Sequence, residues 1–234
     1  MIAPTEMKFI TPNMPFSEIS RKYLNALLSL ETNQAKELIL RAVEEGVSVK
    51  DIYLHVFQPV QYEVGWLWES GVISVGREHY CTNATQLMMS MLYSRVFSGA
   101  TDGRRLLAAC VQGELHELGL RMLSDFFEME GWNTDYMGAN TPNESIVSAL
   151  EEIKYDLLAI NVTMNDRLED AKKLIDAVHA STKARNTLIL VGGYTFLNVD
   201  SIWLKIGADG MAADAKLAIN MANELVQGGR KNVR

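Results

Sequence analysis

Glu114 and His116 stand two positions apart in the stretch Gly113-Glu114-Leu115-His116-Glu117-Leu118-Gly119. A carboxylate so placed can accept a hydrogen bond from one imidazole nitrogen. The other ring nitrogen is then offered to a metal, with the carboxylate fixing the ring's orientation and tautomer. Residues 106–111, just upstream, are an apolar run that reads as a buried strand, and residues 118–129 read as an amphipathic helix. His116 therefore falls in a loop at the carboxyl end of a strand, where open α/β sheets put their ligands. Taken by itself, a loop histidine is more often polar surface.

A second group lies upstream. Nine residues separate Trp68 from the pair Glu78-His79. On a helix, Val75, Glu78 and His79 stand at i, i+3 and i+4 and share one face. The plainer explanation is a core or interface tryptophan and an early-helix glutamate favoured by the helix dipole.

Two kinds of periodicity position these groups. Residues 16–97 read as helices only. Ser17 is expected to cap a first helix carrying Ile19, Tyr23, Leu24, Leu27, Leu28 and Leu30. A second helix is expected over 32–45, with Ala35, Leu38, Ile39 and Ala42 on one stripe and Gly46 as its stop. A third is expected over 49–69, kinked or broken at Pro59 and ended by Ser70-Gly71. A fourth starts at Ser74 and runs to about Phe97. Four amphipathic helices with short links imply a bundle. Residues 98–103 are polar and glycine-containing, a linker. Beyond them, strand-like runs at 106–111, 133–137, 157–162, 187–191 and 210–212 alternate with helices. That alternation implies a flavodoxin-like (Rossmann-like) five-stranded parallel sheet flanked by helices, so the fold class is α + α/β.

Composition bounds the partners. The chain has 234 residues, 48% of them hydrophobic, and a net charge of −7. No apolar run approaches the roughly 20 residues of a membrane span. No secretory signal is evident at the N-terminus, so a cytoplasmic setting is expected. Arg230, Lys231 and Arg234 form a basic cluster that reads as a solvated tail, and no nucleic-acid surface is expected. Cys81 and Cys110 are expected to be buried and reduced. Met88, Met89 and Met91 read as core filler.

The stretch around His116 resembles the Asp/Glu-x-His-x-x-Gly motif of cobalamin-binding domains, here Glu114, His116 and Gly119. The resemblance implies a histidine that replaces the cofactor's own base as lower cobalt ligand, with the base tail in a deep channel of the α/β domain. Asn161-Val162-Thr163 falls where that family usually has Ser-x-Leu or Ser-x-Thr, and Asn161 is expected to bond Glu114. The pair Gly192-Gly193, before Tyr194, would let the backbone approach a bulky ligand. Gly207-Ala208-Asp209-Gly210 and Asp214 are similar to the family's closing segment. Each glycine alone can be read as a tight turn.

Trp68, nine residues and then Glu78-His79 resemble the signature of light-responsive adenosylcobalamin-binding regulators of the CarH/LitR type, with Val75 at the matching position. This implies that Trp68, Val75, Glu78 and His79 contact an adenosyl upper ligand. It divides the chain into a capping bundle, 1–97, and a cobalamin-binding α/β domain, 98–234. Two departures stand out. Only about fifteen residues precede the bundle, so the MerR-type DNA-binding domain of those regulators is not expected. Glu69 stands where some of them carry a second cobalt-binding histidine.

The resulting expectation is a cobalamin-binding sensor rather than an enzyme, probing light through adenosylcobalamin. Its output would pass to a protein partner, such as a regulator or kinase, or to a change of homo-oligomeric state. The alternative is a corrinoid methyl carrier using methylcobalamin with a methyltransferase as partner. A third reading is a protein-binding module that needs hydroxocobalamin or no cofactor. A mutase is disfavoured because no substrate-radical barrel fits.

Overall fold

Five strands and their flanking helices follow an all-helical first part in the computed structural model, which describes residues 7–96, 101–197 and 201–228. Phe97, residues 98–100 of the expected linker, and the basic Arg230, Lys231 and Arg234 lie outside the described residues. The chain forms two compact units, residues 1–96 and 97–234.

The first unit comprises α1 (Ser17–Leu28), α2 (Thr32–Glu44), α3 (Val49–Ile52), α4 (Gln58–Glu69) and α5 (Val75–Val96). Tyr23, Leu24 and Leu27 of α1 are buried with Val60, Val64 and Leu67 of α4 and Met88, Met89 and Leu92 of α5. The hydroxyl of Ser74 accepts from the Arg77 amide at 3.3 Å, which starts α5 as expected. Ser17 does not cap α1. Phe16 occupies that position with φ 55°, and the Ser17 hydroxyl turns back to donate to the Pro12 carbonyl at 3.1 Å.

The expected break near Pro59 takes a definite form. A π-helical turn, Tyr53–Phe57, joins α3 to α4, and Pro59 lies in the first turn of α4. Proline cannot donate to the carbonyl four residues back and its ring crowds it. That carbonyl, of His55, accepts instead from the hydroxyl of buried Ser20 at 2.8 Å.

In the second unit, β1 (Arg105–Cys110), β2 (Asn133–Gly138), β3 (Leu157–Asn161), β4 (Leu188–Gly192) and β5 (Gly210–Met211) form one parallel sheet in the order β2-β1-β3-β4-β5. This is the flavodoxin-like order, as the alternating pattern implied. Strand side chains alternate between two cores. Leu107, Ala109, Leu158, Ile160, Ile189 and Val191 pack with residues of α7 (Asn143–Glu152) and α8 (Leu168–Ala180). Leu106, Ala108, Cys110, Leu157, Ala159 and Leu190 pack with residues of α6 (Leu118–Met129) and α11 (Ala215–Gly228). Short helices α9 (Tyr194–Leu197) and α10 (Ile202–Lys205) link β4 to β5.

The order reverses between β1 and β3. There Cys110 pairs with Asn161, and Asn161 with Gly192, so the carboxyl ends of three strands lie in register. Among the described residues no helix is long and apolar enough to cross a membrane. Cys81 and Cys110 are both buried free thiols.

Candidate functional site

The loop leaving β1 carries a fully buried carboxylate at its centre. Glu114 Oε1 accepts from the His116 amide at 3.0 Å and lies 2.6 Å from Nδ1 of its ring. Oε2 accepts from the amides of Thr163 at 2.7 Å and Met164 at 3.0 Å, in the loop after β3. Burial opposes ionisation, but the His116 ring and the Met164, His116 and Thr163 amides outweigh it and hold the carboxyl at about 2. An ionised Glu114 makes Nδ1 the donor, so in the neutral ring the lone pair lies on Nε2. The His116 side chain is 49% exposed.

Asn161 does not bond Glu114, contrary to expectation. Its Nδ2 donates to the His116 carbonyl at 2.7 Å and to Thr163 Oγ1 at 3.2 Å. The Glu114 oxygens already accept four N–H groups, and the side chain from the end of β3 meets the backbone of the histidine loop instead. Cys110 Sγ lies 3.7 Å from the same carbonyl.

The paired glycines also serve the chain itself. Gly193 has φ +108°, and a Cβ there would lie 2.3 Å from the Val162 carbonyl oxygen. A Cβ on Gly192 would lie 3.3 Å from the Ala212 carbonyl oxygen. Both glycines are thus needed where neighbouring backbone approaches closely. Gly119 is different, for a Cβ on it meets nothing within 4 Å and it opens the first turn of α6. In the closing segment, Asp209 Oδ2 accepts from the Ile189 amide at 2.8 Å, and Asp214 Oδ1 accepts from the Leu217 amide at 2.8 Å, capping α11.

Sequence reasoning missed the loop after β2. Asn140 Oδ1 accepts from the Gly113 amide, and the Asn140 amide donates to the Glu114 carbonyl, both at 2.8 Å. Glu117 Oε2 accepts from the Ala139 amide at 2.8 Å and the Tyr136 hydroxyl at 2.9 Å. The usable signal was topological: β2 neighbours β1, so its exit loop had to flank His116. Arg167, also missed, lies over Gly113 and pairs with Asp166 at 2.7 Å and Asp170 at 3.5 Å.

In the first unit, Val75, Glu78 and His79 fall in the opening turns of α5, and Trp68 lies near the end of α4. Trp68 and Val75 are exposed. Glu78 Oε2 lies 2.5 Å from His79 Nδ1, and Glu78 Oε1 accepts from the Thr82 hydroxyl at 2.8 Å. Thr82 also reaches Gln61 Oε1 at 3.1 Å, and Gln61 Nε2 donates to Thr85 Oγ1 at 2.7 Å. The His79 side chain is 68% exposed. Glu69 is exposed at the end of α4.

A family model described as a B12 binding domain matches residues 104–220, and a second B12 binding domain model matches residues 19–93. The chain belongs to the B12-binding domain family. Its cofactor is accordingly a cobalamin or related corrinoid. Dimethylamine corrinoid protein 1 of Methanosarcina mazei is 23% identical over 218 residues, 90% of this chain and 97% of that protein. The HTH-type transcriptional repressor CarA of Myxococcus xanthus is 32% identical over 116 residues, 49% of this chain and 40% of that protein. The monomethylamine corrinoid protein of Methanosarcina barkeri shares the fold, with TM-score 0.78 and 21% identity over 92% of this chain and 100% of that one.

The donor set fits a corrinoid. Among the described residues no three His, Cys, Asp or Glu side chains gather to chelate a metal ion. One oriented imidazole suits a metal that brings its own equatorial nitrogens. On the α6/α11 side, the sheet's carboxyl end bears the small Ala108, Cys110, Ala159 and Gly192, which suits a ligand entering between sheet and helices.

Proposed function

We propose that this chain is a corrinoid carrier protein that holds a methyl-bearing cobalamin on His116 and presents it to a methyltransferase. The observation that carries the reading is the Glu114–His116 pair at the β1–β3 switch point, with Nδ1 locked and Nε2 bearing the lone pair. When bound, the corrinoid supplies a cobalt centre able to take up and give up a methyl group. The protein supplies orientation. Glu114 fixes the imidazole tautomer and, being ionised, raises the basicity of Nε2. The amides of Thr163 and Met164 keep that carboxylate in place, and Asn161 pins the His116 carbonyl. Gly119 leaves the first turn of α6 open, and the small residues at the strand ends would face the nucleotide tail. Gly192 and Gly193 act on this site by seating its loops.

The span of the likeness favours a carrier over a sensor. The dimethylamine corrinoid protein aligns across both units, whereas CarA aligns with about half of the chain. Methylated amines are therefore the first substrate class to test. The protein would be loaded in darkness with methylcobalamin or adenosylcobalamin and both affinities measured. Methyl transfer from the loaded protein to an acceptor would then be assayed with a methyltransferase. A carrier binds the methyl form at least as tightly as the adenosyl form and passes the methyl group on. Strong preference for the adenosyl form, with no transfer, rejects the reading.

The second reading is an adenosylcobalamin photosensor acting through a partner or a change of assembly. It is favoured by exposed Trp68, Val75 and His79 beside an oriented Glu78, the residues that would meet an adenosyl group. Green light on the adenosyl-loaded protein would then change both spectrum and oligomeric mass. An unchanged mass sinks it.

A further inference from the structure

His116 is bracketed by two straps from β2 and the loop that leaves it. On one side, Asn140 takes the Gly113 amide on its side-chain oxygen and gives its own amide to the Glu114 carbonyl, both at 2.8 Å. On the other, Glu117 holds the Ala139 amide at 2.8 Å and the Tyr136 hydroxyl at 2.9 Å. The close fit is built in. Asn140 has φ 48°, a region asparagine tolerates better than other side-chain-bearing residues. Gly138 has φ +80°, and a Cβ there would lie 2.8 Å from Glu117 Oε2.

We propose that Asn140 and Tyr136 are positioning residues for the histidine: Asn140 splints the main chain at Gly113 and Glu114 from the loop after β2, and Tyr136, within β2, holds the carboxylate of Glu117 on the other side, so that the imidazole stands ready before the corrinoid arrives. The inference rests on the reading of His116 as lower cobalt ligand. A metal ligand on an unsplinted loop must be ordered when the bond forms, and the lost chain entropy weakens the bond. The splint removes that loss. The Gly113 and Glu114 amides, the Glu114 carbonyl, and the amide and carbonyl of His116 all have partners, so the loop is held on both sides of the ring.

The test uses the full chain carrying Asn140→Gly, Asn140→Asp, Tyr136→Phe or His116→Ala, each loaded with methylcobalamin. The spectrum separates the histidine-bound red form from the histidine-released yellow form. Amide exchange of the cofactor-free protein reports loop order. Asn140→Gly and Tyr136→Phe are each expected to lower the bound-to-released ratio about 3- to 10-fold, a fraction of a direct partner's effect. Exchange at residues 113–117 should quicken while the melting temperature stays near the parent's. Asn140→Asp keeps the acceptor oxygen and should keep the parent's ratio. An unchanged ratio in both Asn140→Gly and Tyr136→Phe overturns the proposal, as does an Asp variant no better than Gly. His116→Ala separates the two levels: if it keeps the parent's red spectrum, the ligand assignment itself has failed.

Discussion

Glu114 Oε1 lies 2.6 Å from His116 Nδ1, and Glu114 is fully buried while the ring it holds is half exposed. The same pairing recurs at Glu78 and His79, 2.5 Å apart, with a different setting. Glu114 accepts backbone amides on both oxygens, so its orientation is over-determined. Glu78 accepts from the Thr82 hydroxyl, and its histidine is largely in solvent. The first pair is thus preorganised by backbone amides on a buried carboxylate, and the second rests on side chains near the surface.

Replacing Glu114 with Gln tests that preorganisation. The Gln carbonyl can serve the Thr163 and Met164 amides, but its NH2 then faces Nδ1. The ring must turn to the tautomer with the proton on Nε2, which removes the lone pair that the proposed reading offers to cobalt. Corrinoid affinity, followed by spectral titration with hydroxocobalamin, should fall about 10- to 100-fold. Lost charge-assisted bonds should also lower stability by about 1–3 kcal/mol. Unaltered affinity would mean that the pair does not set the ligand.

Much of this was legible because it is local or periodic. The apolar runs at β1, β3 and β4 announce buried parallel strands, and Glu114 and His116 are only two residues apart. What was illegible depends on which loops become neighbours. Asn140 meets Gly113 because β2 pairs with β1, and Ser20 meets the His55 carbonyl because Pro59 left it without its usual donor. The destination of Asn161 could not be read either. It follows from the Glu114 oxygens being taken by amides, and sequence spacing does not show where lone pairs go.

Gly193→Ala should unseat the loops after β3 and β4. Its φ of +108° is already unfavourable for alanine, and the new Cβ would press to 2.3 Å against a backbone oxygen, which no side-chain rotation relieves. A loss of about 3 kcal/mol or more is expected in urea unfolding of the purified protein. A change under about 1 kcal/mol would show that Val162 can move aside.

The first unit should weaken in alkali. Burial pushes the Cys81 thiol up to about 12 from 9.0 and raises the Tyr23 phenol above its usual 10.0. Both groups keep their protons longer in the folded chain than in the unfolded one. Their contribution is complete below about pH 9 and declines as pH rises through the folded value, by up to about 1.4 kcal/mol per pH unit for each group. Denaturant midpoints between pH 8 and 11 check this, with a shallower decline expected for Cys81→Ala. In the same window, Cys81 and Cys110 should resist iodoacetamide until the chain is unfolded. Rapid labelling of the native protein at pH 8 contradicts their burial.

Gly119→Ala separates fold from function most cleanly. The added methyl meets nothing within 4 Å, and the site lies in the first turn of α6, where alanine restricts the unfolded chain more than glycine does. The cofactor-free protein should therefore gain up to about 1 kcal/mol. If the open side of that turn receives the corrinoid, the same methyl intrudes on the ligand, and affinity should drop about tenfold or more, the scale of a misfit contact of 1–3 kcal/mol. Thermal melts of the cofactor-free protein and titration with methylcobalamin read the two effects independently. A more stable protein that binds as well as the parent would place the corrinoid away from the start of α6, and with it remove Gly119 from the site.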